Sequence, residues 1–490
     1  MFSIDMQKNI YDLIIVGAGP AGLAVAHCCS ALNLRILVID KEQSIGGCHR
    51  VKRVNNIFTE HGPRIYLSIY KNMFDLLSEI GLSSDDIFTD YLYSTFSLIR
   101  NKVLPYLTIG EIISFIGAYL RYILDENYGS YISLKQFCVD NGYSEIAIEM
   151  FDRICRLTDG STIEGFSLNN MLTLADTNVS GLQPKGPLDK ILFNKWQDFL
   201  EKRGVHFSLG HTIKSIHYNS KQNNVDYIIL DNNVLHYTKN LVLAVPPVSL
   251  TKLLEYQTPL IKNCFANYNV LKEWSEKTEY IEYISITYHF KKDIYIPKVH
   301  GLSMNSEWGI VIVNLSDYMQ DIENEYAKVI SLAITICDKP SKYTNKTANQ
   351  CSNRNELMKE AYRQLKSDLF PDLPHYDLAV LNPNNYYDSH AEKWQTTDEA
   401  FFHSVNTNYL PFHSTFIRNI YNVGTHNGHH HINLTTMESA VTNGIVLSGR
   451  MYPQLKRKIK TNWKYRDIII YIIIMLLVII LIVLIAHNYN

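Results

Sequence analysis

The sequence predicts an α/β fold with a mostly parallel sheet, an interleaved α+β region and one apolar helix near the C-terminus. Three observations predict it. LIIVGAGPAG, from Leu13 to Gly22, is typical of a buried strand followed by a glycine turn that opens a helix. The apolar period changes to two after residue 205, which favours strands. Ile468 to Ala486 is an apolar run without a charged residue.

The glycine turn fits the G-x-G-x-x-G fingerprint of Rossmann-type dinucleotide-binding units. Gly17 makes the tight turn, Gly19 lets the backbone approach a pyrophosphate, and Gly22 lets the following helix pack against the strand. The N-terminus of that helix directs N–H groups at the phosphates. The predicted cofactor contacts in this turn are Gly17, Ala18, Gly19, Pro20, Ala21 and Gly22.

A second predicted strand, Arg35 to Ile39, ends at Asp40. An acid about twenty residues after the glycines is placed to accept hydrogen bonds from a ribose diol. Asp40 and its neighbour Lys41 are therefore predicted cofactor contacts. The alternative is a glycine turn in an unrelated α/β protein, and the fingerprint alone does not distinguish NAD from FAD.

Composition sets limits on the class of protein. The chain has 490 residues, 46% of them hydrophobic and 19% charged, with a net charge of −2. This balance gives no electrostatic footprint for nucleic acid. The eight cysteines are scattered without a C-x-x-C pair, so we interpret them as reduced thiols in a cytosol-facing protein. The N-terminus lacks the pattern of a secretory signal.

The C-terminal apolar run is long enough to cross a bilayer of about 30 Å as a helix. A basic segment precedes it, and positive flanks stay cytoplasmic. The sequence thus predicts a single-pass, tail-anchored membrane protein with its body in the cytoplasm. The basic residues are Lys456, Arg457, Lys458, Lys460, Lys464 and Arg466.

Between these ends the pattern is mixed. Residues 110–125 are apolar and helical but interrupted by Glu111 and Arg121, which predicts a core or membrane-surface helix rather than a span. Residues 91–104 alternate loosely and predict a strand pair. Residues 280–290, 309–315 and 328–336 predict strands of a second sheet, and residues 370–413 predict an irregular, aromatic-rich segment.

The order of these parts resembles the FAD-dependent amine oxidase, protoporphyrinogen oxidase and phytoene desaturase superfamily. Four stretches carry the resemblance across residues 12–450. They are the GAGPAG turn with Asp40, the IGGCHR loop (45–50), the LVLAVPP strand (241–247), and IYNVGT (420–425) with MESAVTNG (437–444).

The resemblance implies FAD, because the G-G loop and the C-terminal return to the cofactor region accompany it. Further cofactor contacts implied are Gly46, Gly47, Cys48, Gly62, Ile213, Gly424 and Met437. Two adjacent glycines let a loop approach the cofactor without a Cβ clash. The alternatives are an ordinary turn at Gly46 and a plain core isoleucine at 213. We interpret Cys48 as an ordinary thiol, not a covalent flavin attachment.

Catalytic residues are not identified by any motif, but three residues are candidates for facing flavin or substrate: His61, Arg64 and Trp394. Arg64 can place positive charge near flavin or bind an anionic substrate group; the alternative for each is a structural role. Four histidines in THNGHHHI (His426, His429, His430 and His431) suggest a metal, but adjacent histidines do not converge on one ion, so no metal is predicted.

We expect an FAD-dependent oxidoreductase that transfers a hydride from an amine, or from an apolar, isoprenoid or porphyrinogen-type compound, to flavin and then to O₂ or another acceptor. Alternatives are a UDP-galactopyranose mutase-like flavoenzyme, which needs a pair of arginines, and a non-catalytic flavin-binding scaffold. The predicted FAD-binding domain is 1–80, 205–250 and 415–450. The predicted substrate domain is 81–204 and 251–414, followed by a basic juxtamembrane linker (451–467) and the transmembrane helix (468–486).

Overall fold

The structure is a computed structural model. It describes residues 9–94, 98–158, 160–177, 179–280, 283–299, 301–320, 322, 325–397, 399–402, 405, 408–429, 434–462 and 464–488. Strands and helices are numbered here in chain order.

A five-stranded parallel sheet lies at the centre of the chain. Its strands are β2 (Leu13–Val16), β3 (Ile36–Asp40), β9 (Val205–Leu209), β13 (Leu241–Leu243) and β22 (Ile420–Asn422). The strand order is β22-β13-β2-β3-β9. β2, β3 and β13 are buried along their whole length, which explains their unbroken aliphatic sequences. The carboxyl ends of parallel strands share one edge, where ligands of such sheets bind.

Two helices cover one face of this sheet: α1 (Pro20–Ser30) and α13 (Met437–Met451). They approach closely because glycines face the contacts. A Cβ on Gly444 would lie 2.7 Å from the Ala21 carbonyl oxygen, and one on Gly22 would lie 2.0 Å from the Gly17 carbonyl oxygen. The C-terminal part of the chain thus returns to the N-terminal fingerprint.

The other face is covered by three helices and a mixed sheet, in which β1 pairs parallel to β12 and the other pairs are antiparallel. The strands, in the order β1-β12-β11-β10, are β1 (Ile10–Tyr11), β12 (Leu235–Thr238), β11 (Asn224–Leu230) and β10 (Ile213–Asn219). The helices are α9 (Pro247–Glu255), α10 (Pro259–Lys262) and α11 (Tyr268–Glu276). Ile14 and Leu37 from the parallel sheet share a core with Ile228 and Leu254.

A separate antiparallel sheet, called here the second sheet, lies beside the parallel sheet and has its own hydrophobic core. Its strands, in the order β16-β17-β15-β18, are β15 (Ile284–Phe290), β16 (Ile310–Asn314), β17 (Lys328–Ile334) and β18 (Leu378–Leu381). Helix α12 (Arg354–Asp368) packs against it. The strands predicted at 280–336 therefore form one sheet, as expected.

The remaining helices form a layer beside the parallel sheet and the second sheet, called here the helical layer. They are α2 (Lys71–Glu79), α3 (Ser84–Ile87), α4 (Ile109–Leu124), α5 (Leu134–Asp140), α6 (Glu145–Thr158), α7 (Leu168–Asp176) and α8 (Asn194–Lys202). Short strands join them: β4 (Lys52–Val54), β5 (Ile57–Thr59), β6 (Tyr66–Leu67), β7 (Phe88–Ser94) and β8 (Ser180–Pro184).

Two local predictions are wrong. Residues 91–104 are not a strand pair: β7 ends at Ser94, a π-helical turn covers Ile99–Val103, and 95–97 lie outside the described residues.

The segment 370–413 is not merely irregular. Besides β18 it carries β19 (Asn385–Asp388), β20 (Lys393–Thr396) and β21 (Phe401–Phe402), the last paired with β14 (Glu279–Tyr280). β21 is a strand through its pairing with the distant β14, whereas β19 and β20 pair with each other as a hairpin.

The C-terminal segment forms α14 (Tyr465–Asn488). Over the part of the chain that the structure describes, no one helix meets the length and hydropathy that a membrane span requires. One pair does so jointly, residues 100–106 with α4, at a bend of 119°.

Candidate functional site

A cavity of about 760 Å³ runs along the carboxyl edge of the parallel sheet. Its volume lies in the range of cofactor and small-molecule pockets. One end is lined by Asp40 and Ile213, the middle by Gly19, Gly47 and Met437, and the far end by residues of the second sheet and of the helical layer. The three parts are called here the Asp40 end, the middle and the far end.

The wall of the cavity's middle is formed by glycine backbone and is called here the glycine wall. Gly17 has a φ of +109°, and a Cβ there would lie 2.2 Å from the Ala244 carbonyl oxygen. Gly47 has a φ of +59°, and a Cβ there would lie 3.1 Å from Cα of Gly19. The Gly17 turn therefore lies close to Ala244, and the Gly47 loop passes Gly19 closely in a left-handed conformation that favours glycine. The result is a surface on which an extended pyrophosphate can lie.

Two helix N-termini open into this cavity. α1 begins at Pro20 behind Gly19, with no side-chain cap among the described residues, and Gly19, Pro20 and Ala21 line the cavity. α13 begins at Met437 behind the cap Thr436, and both residues line the cavity. Each N-terminus contributes partial positive charge and N–H donors. Their convergence makes the middle suited to groups that carry negative charge.

Asp40 is held rigidly at its end of the cavity. Oδ2 accepts a hydrogen bond from the Ala18 N–H at 2.7 Å, and Oδ1 accepts from the Glu42 N–H at 2.9 Å and from Arg50 Nη2 at 2.8 Å. Oδ2, which accepts one hydrogen bond, keeps a lone-pair direction for a ribose hydroxyl. Arg50 also donates to the carbonyls of Ser44 and Gly47, so its guanidinium lies against the glycine wall.

The outer rim of the Asp40 end is polar. Glu399 is 3.6 Å from Lys41 Nζ and 3.9 Å from Lys252 Nζ, and it accepts a hydrogen bond from the Ser249 hydroxyl. Ile213, the first residue of β10, lines the same region. Both cavity lysines among the described residues thus lie at this rim.

The loop after β5 is fixed by the second sheet. The Glu60 carbonyl accepts hydrogen bonds from the Ser285 hydroxyl at 3.0 Å and from Asn382 Nδ2 at 2.6 Å. His61 then lies edge-on to Tyr283, with ring centroids 4.6 Å apart and a hydrogen bond to the Tyr283 hydroxyl. A Cβ on Gly62 would meet the Tyr283 ring at 3.6 Å, in ordinary contact. His61 and Tyr283 are both buried and both line the cavity.

Arg64 sets the electrostatics of this loop. Its guanidinium donates to the Cys48 carbonyl. Burial raises the pKa of Glu60 to about 7, although Arg64 opposes that rise. Burial, with Arg64 and His61, lowers the pKa of His49 well below its ordinary value, so His49 is neutral at pH 7. The loop therefore combines one permanent cation with a carboxyl that titrates near neutrality.

The loop after β22 faces the cavity through Gly424, Thr425 and His426. The buried Thr425 hydroxyl has no hydrogen-bond partner among the described residues, which fits a polar ligand in the cavity. His426 Nε2 bonds Asn422 at 3.1 Å, while His429 stacks on Phe412. These two histidines do not converge. His430 and His431 lie outside the described residues, so the absence of a metal stays a prediction.

The far end is mostly apolar with one anchored cation. Arg156, near the end of α6, donates from Nε to Asp152 at 2.7 Å and from Nη1 to the Thr335 carbonyl at 2.6 Å. These two bonds fix the guanidinium against the second sheet. The apolar residues around it are Leu157, Leu174, Val179, Val311 and Ala333.

The structure brings most predicted site residues to this one cavity. Those that line it are Gly17, Gly19, Pro20, Ala21, Asp40, Lys41, Gly47, Cys48, His61, Gly62, Arg64, Ile213, Gly424 and Met437. Ala18, Gly22 and Gly46 lie behind the wall: Ala18 holds Asp40, Gly22 packs α1 on β2, and the Gly46 N–H donates to the Ala18 carbonyl at 2.8 Å.

Trp394 is a correction. It was a candidate for facing the substrate, but it lies in the core of the second sheet and not on the cavity wall. Its indole N–H donates to the Cys351 carbonyl at 3.1 Å, and its ring meets Tyr387 edge-on. A buried tryptophan needs such a partner for its N–H, so its role here is structural.

Several cavity residues were not predicted as site residues, among them Arg50, Arg156, Tyr283 and Thr425. Arg50 follows the G-G loop by three residues, and that spacing was a usable signal. Arg156 and Tyr283 are brought to the cavity by tertiary packing from positions with no local motif. Nothing in their neighbourhood in the sequence points to them.

Comparison with known proteins supports this reading of the fold. Residues 15–80 match the family model described as an NAD(P)-binding Rossmann-like domain. The chain is 20% identical over 290 residues to the L-amino acid oxidase bordonein-L of Crotalus durissus terrificus, covering 52% of this chain and 55% of that protein. The chain spans about half or less of the length of such curated relatives.

Solved structures share the architecture over almost the whole chain. Putrescine oxidase bound to putrescine superposes with a TM-score of 0.64 at 12% identity, covering 91% of this chain and 99% of that one. A putative protoporphyrinogen oxidase from Exiguobacterium sp. 255-15 gives a TM-score of 0.59 at 13% identity, covering 90% and 99%. At 12–13% identity these structures show that the chain shares the fold of the amine oxidase-like superfamily that its sequence was predicted to resemble.

Proposed function

We propose that this chain is an FAD-dependent oxidoreductase that takes a hydride from an organic substrate and delivers the electrons to O₂ or another acceptor. One observation carries the proposal. A single cavity joins the fingerprint glycines, two helix N-termini and Asp40 to an apolar far end with a fixed arginine. A cofactor half and a substrate half thus share one continuous space.

The residues present fit FAD. Asp40 would accept from the ribose diol, and the backbone of Ile213 would hold the adenine end. The Gly19 and Gly47 wall, the α1 N-terminus and Arg50 would hold the pyrophosphate, with Gly424 and the buried Thr425 hydroxyl nearby in the cavity wall. The α13 N-terminus at Met437 would supply positive dipole charge to the flavin ring.

When bound, the flavin supplies the hydride acceptor and passes electrons on. The chain supplies a dry, shaped cavity and the electrostatics around it. The α13 dipole and Arg64 favour the negative charge that reduction places on the flavin ring. His61 and Tyr283, hydrogen-bonded to each other, lie beside the same loop and orient the substrate.

The far end favours an amphipathic substrate that carries an acidic group. Its wall is aliphatic, and the fixed guanidinium of Arg156, with Arg64 nearer the middle, suits a carboxylate or phosphate. Simple amines are less well supported, because a protonated amine would meet the like charges of Arg64 and Arg156 in the cavity.

The test uses the full chain in detergent micelles. An oxidised-flavin absorbance spectrum is expected, and anaerobic mixing with amphipathic acids should bleach it faster than mixing with polyamines. Rapid bleaching by soluble polyamines alone would contradict the substrate class. Bound flavin that no candidate substrate reduces would favour the non-catalytic scaffold.

A second function has a specific observation in its favour. A UDP-galactopyranose mutase-like reaction needs two arginines for a diphosphate, and Arg156 joins Arg64 in the cavity. The discriminating measurement is conversion of UDP-galactopyranose with and without dithionite. Turnover only in the presence of dithionite, with no net oxidation, would favour this alternative.

We also propose that α14 anchors the chain in a membrane with its body on the cytoplasmic side. The support is its unbroken apolar sequence over 468–486 and the basic segment before it. Carbonate extraction of full-length protein from membranes, compared with protease protection of the body, measures both the insertion and its orientation.

A further inference from the structure

The outer face of α4 carries a continuous apolar stripe that no described part of the chain covers. Its members are Ile109, Ile113, Ile116, Leu120 and Leu124, exposed at 78%, 64%, 52%, 56% and 85%. At 100° per residue these positions fall within about 80° of the helix circumference. Single exposed aliphatics are ordinary, but a row of five is not.

The opposite face of α4 is firmly held by the protein. Glu111 is buried and forms a capping box with Thr108, and its Oε1 accepts from the Ser144 N–H at 2.7 Å. Tyr119 and Tyr122 donate to the buried carboxylate of Asp176 at the end of α7. α4 therefore does not cross a bilayer as half of a bent pair, because one of its faces is part of the body.

The start of α14 is hydrogen-bonded to the end of α4. Arg466 Nε donates to the carbonyls of Tyr122 at 3.2 Å and Ile123 at 2.9 Å, in the last turn of α4. The Arg466 N–H donates to Asp176 at 2.8 Å. The proposed membrane helix therefore leaves the body at the C-terminal end of the stripe, and the two apolar surfaces are continuous.

Basic residues lie beside the stripe and at both of its ends. Glu111, the acid of the first turn, is turned inward, and Arg121 is exposed beside the stripe. Gly110 and Gly117 complete the exposed face, with open space where a Cβ would lie. Arg100 precedes the helix and Lys464 follows it, whereas Arg466 at the junction with α14 pairs with Glu126 at 3.2 Å, next to the exposed Asp125. Basic residues flanking an apolar helical face are typical of helices that lie in the headgroup region.

We propose that α4 lies flat on the cytoplasmic leaflet with its apolar stripe among the upper acyl chains, as a second membrane contact beside α14. This inference rests on the proposed anchorage by α14. It also places the substrate half of the cavity close to the bilayer, because α4 packs through Asp176 on α7, and α7 supplies Leu174 to the far end.

The test maps lipid contacts on the full chain. The protein is reconstituted in vesicles of phosphatidylcholine and phosphatidylserine that contain a phospholipid with a photoreactive diazirine in its acyl chain. Irradiation should give lipid adducts in 109–124 and in α14, and none on α11, whose Val270 is 59% exposed. Adducts confined to α14 would overturn the inference. Adducts in neither segment would overturn the anchorage as well.

A matched pair of variants sharpens the test. Ile113→Glu with Ile116→Glu should reduce adducts in 109–124 by at least about tenfold and leave those in α14, because charge is disfavoured among acyl chains. The control is Ile146→Glu on α6, where the native side chain is also 64% exposed. It should change neither set. Undiminished adducts in the double variant would contradict the proposal.

Discussion

The two ends of the cavity are built in different ways. The Asp40 end and the middle use backbone: glycine turns, helix N-termini and a carboxylate fixed by two N–H groups, all within residues 17–47 and at the start of α13. The far end uses side chains from α6, α7 and the second sheet, which are distant in the sequence. Backbone chemistry leaves a fingerprint in the sequence, whereas an assembled side-chain wall does not.

The largest effect is expected at the backbone end. In Gly22→Val the Cβ alone would lie 2.0 Å from the Gly17 carbonyl oxygen, so α1 must move away from β2. We expect complete loss of bound flavin and destabilisation by about 3 kcal/mol or more. Flavin absorbance and urea unfolding measure the two effects.

The control for that prediction is Gly110→Ala in α4, where a Cβ meets nothing within 4 Å. It should keep the flavin and stabilise the chain by about 0.5 to 1 kcal/mol. If Gly22→Val binds flavin normally, the glycine wall does not have the role assigned to it.

A pH-dependent effect is expected at the loop between the two ends. Burial raises the pKa of Glu60 to about 7, above its value of about 4.3 in an unfolded chain. The folded state therefore binds the proton more tightly, and stability falls as pH rises from about 4 to about 7. Glu60→Gln should remove this loss and gain up to about 3 kcal/mol at pH 8, with little change at pH 4.

Glu111→Gln is a control of opposite sign for the Glu60 measurement. Burial raises the pKa of Glu111, but hydrogen bonds from Ser144 and Thr108 outweigh it and lower the pKa overall. This variant should destabilise the chain above pH 5 and less so below it. Thermal melts from pH 4 to pH 8 compare the two variants, and parallel curves for both would show that Glu60 is not protonated in the folded state.

Substrate binding should respond at the far end and flavin binding should not. Arg156→Gln keeps a polar side chain but loses the charge, so KM for an acidic substrate should rise roughly tenfold to a hundredfold with little change in kcat or flavin content. Arg53→Gln, which breaks an Arg–Asp pair outside the cavity, is the control. Equal loss of kcat in both variants would point to a structural role for Arg156.

The smallest effect is expected for Trp394, which lies outside the cavity. Trp394→Phe loses the hydrogen bond to the Cys351 carbonyl and part of the core contact, a cost of about 1 to 2 kcal/mol. KM, kcat and flavin content should stay unchanged. A change in KM alone would return Trp394 to the substrate wall.

The same contrast explains what the sequence could predict. Strands β2, β3 and β13 and the turn at Gly17 follow from local pattern, because burial on both faces and a positive φ each restrict residue choice. Arg64 was found because it lies in the resembling loop. β21 was missed, since it is a strand only through its pairing with β14, which is distant in the sequence. Trp394 was misplaced because core and cavity aromatics look alike in a sequence.

The central claim is that the cavity binds FAD, and the most direct measurement is the absorbance spectrum of the purified full-length chain, with mass analysis of the compound released by acid. The account predicts an oxidised-flavin spectrum and about one FAD per chain. A colourless protein, or one that releases a nicotinamide dinucleotide, would contradict it.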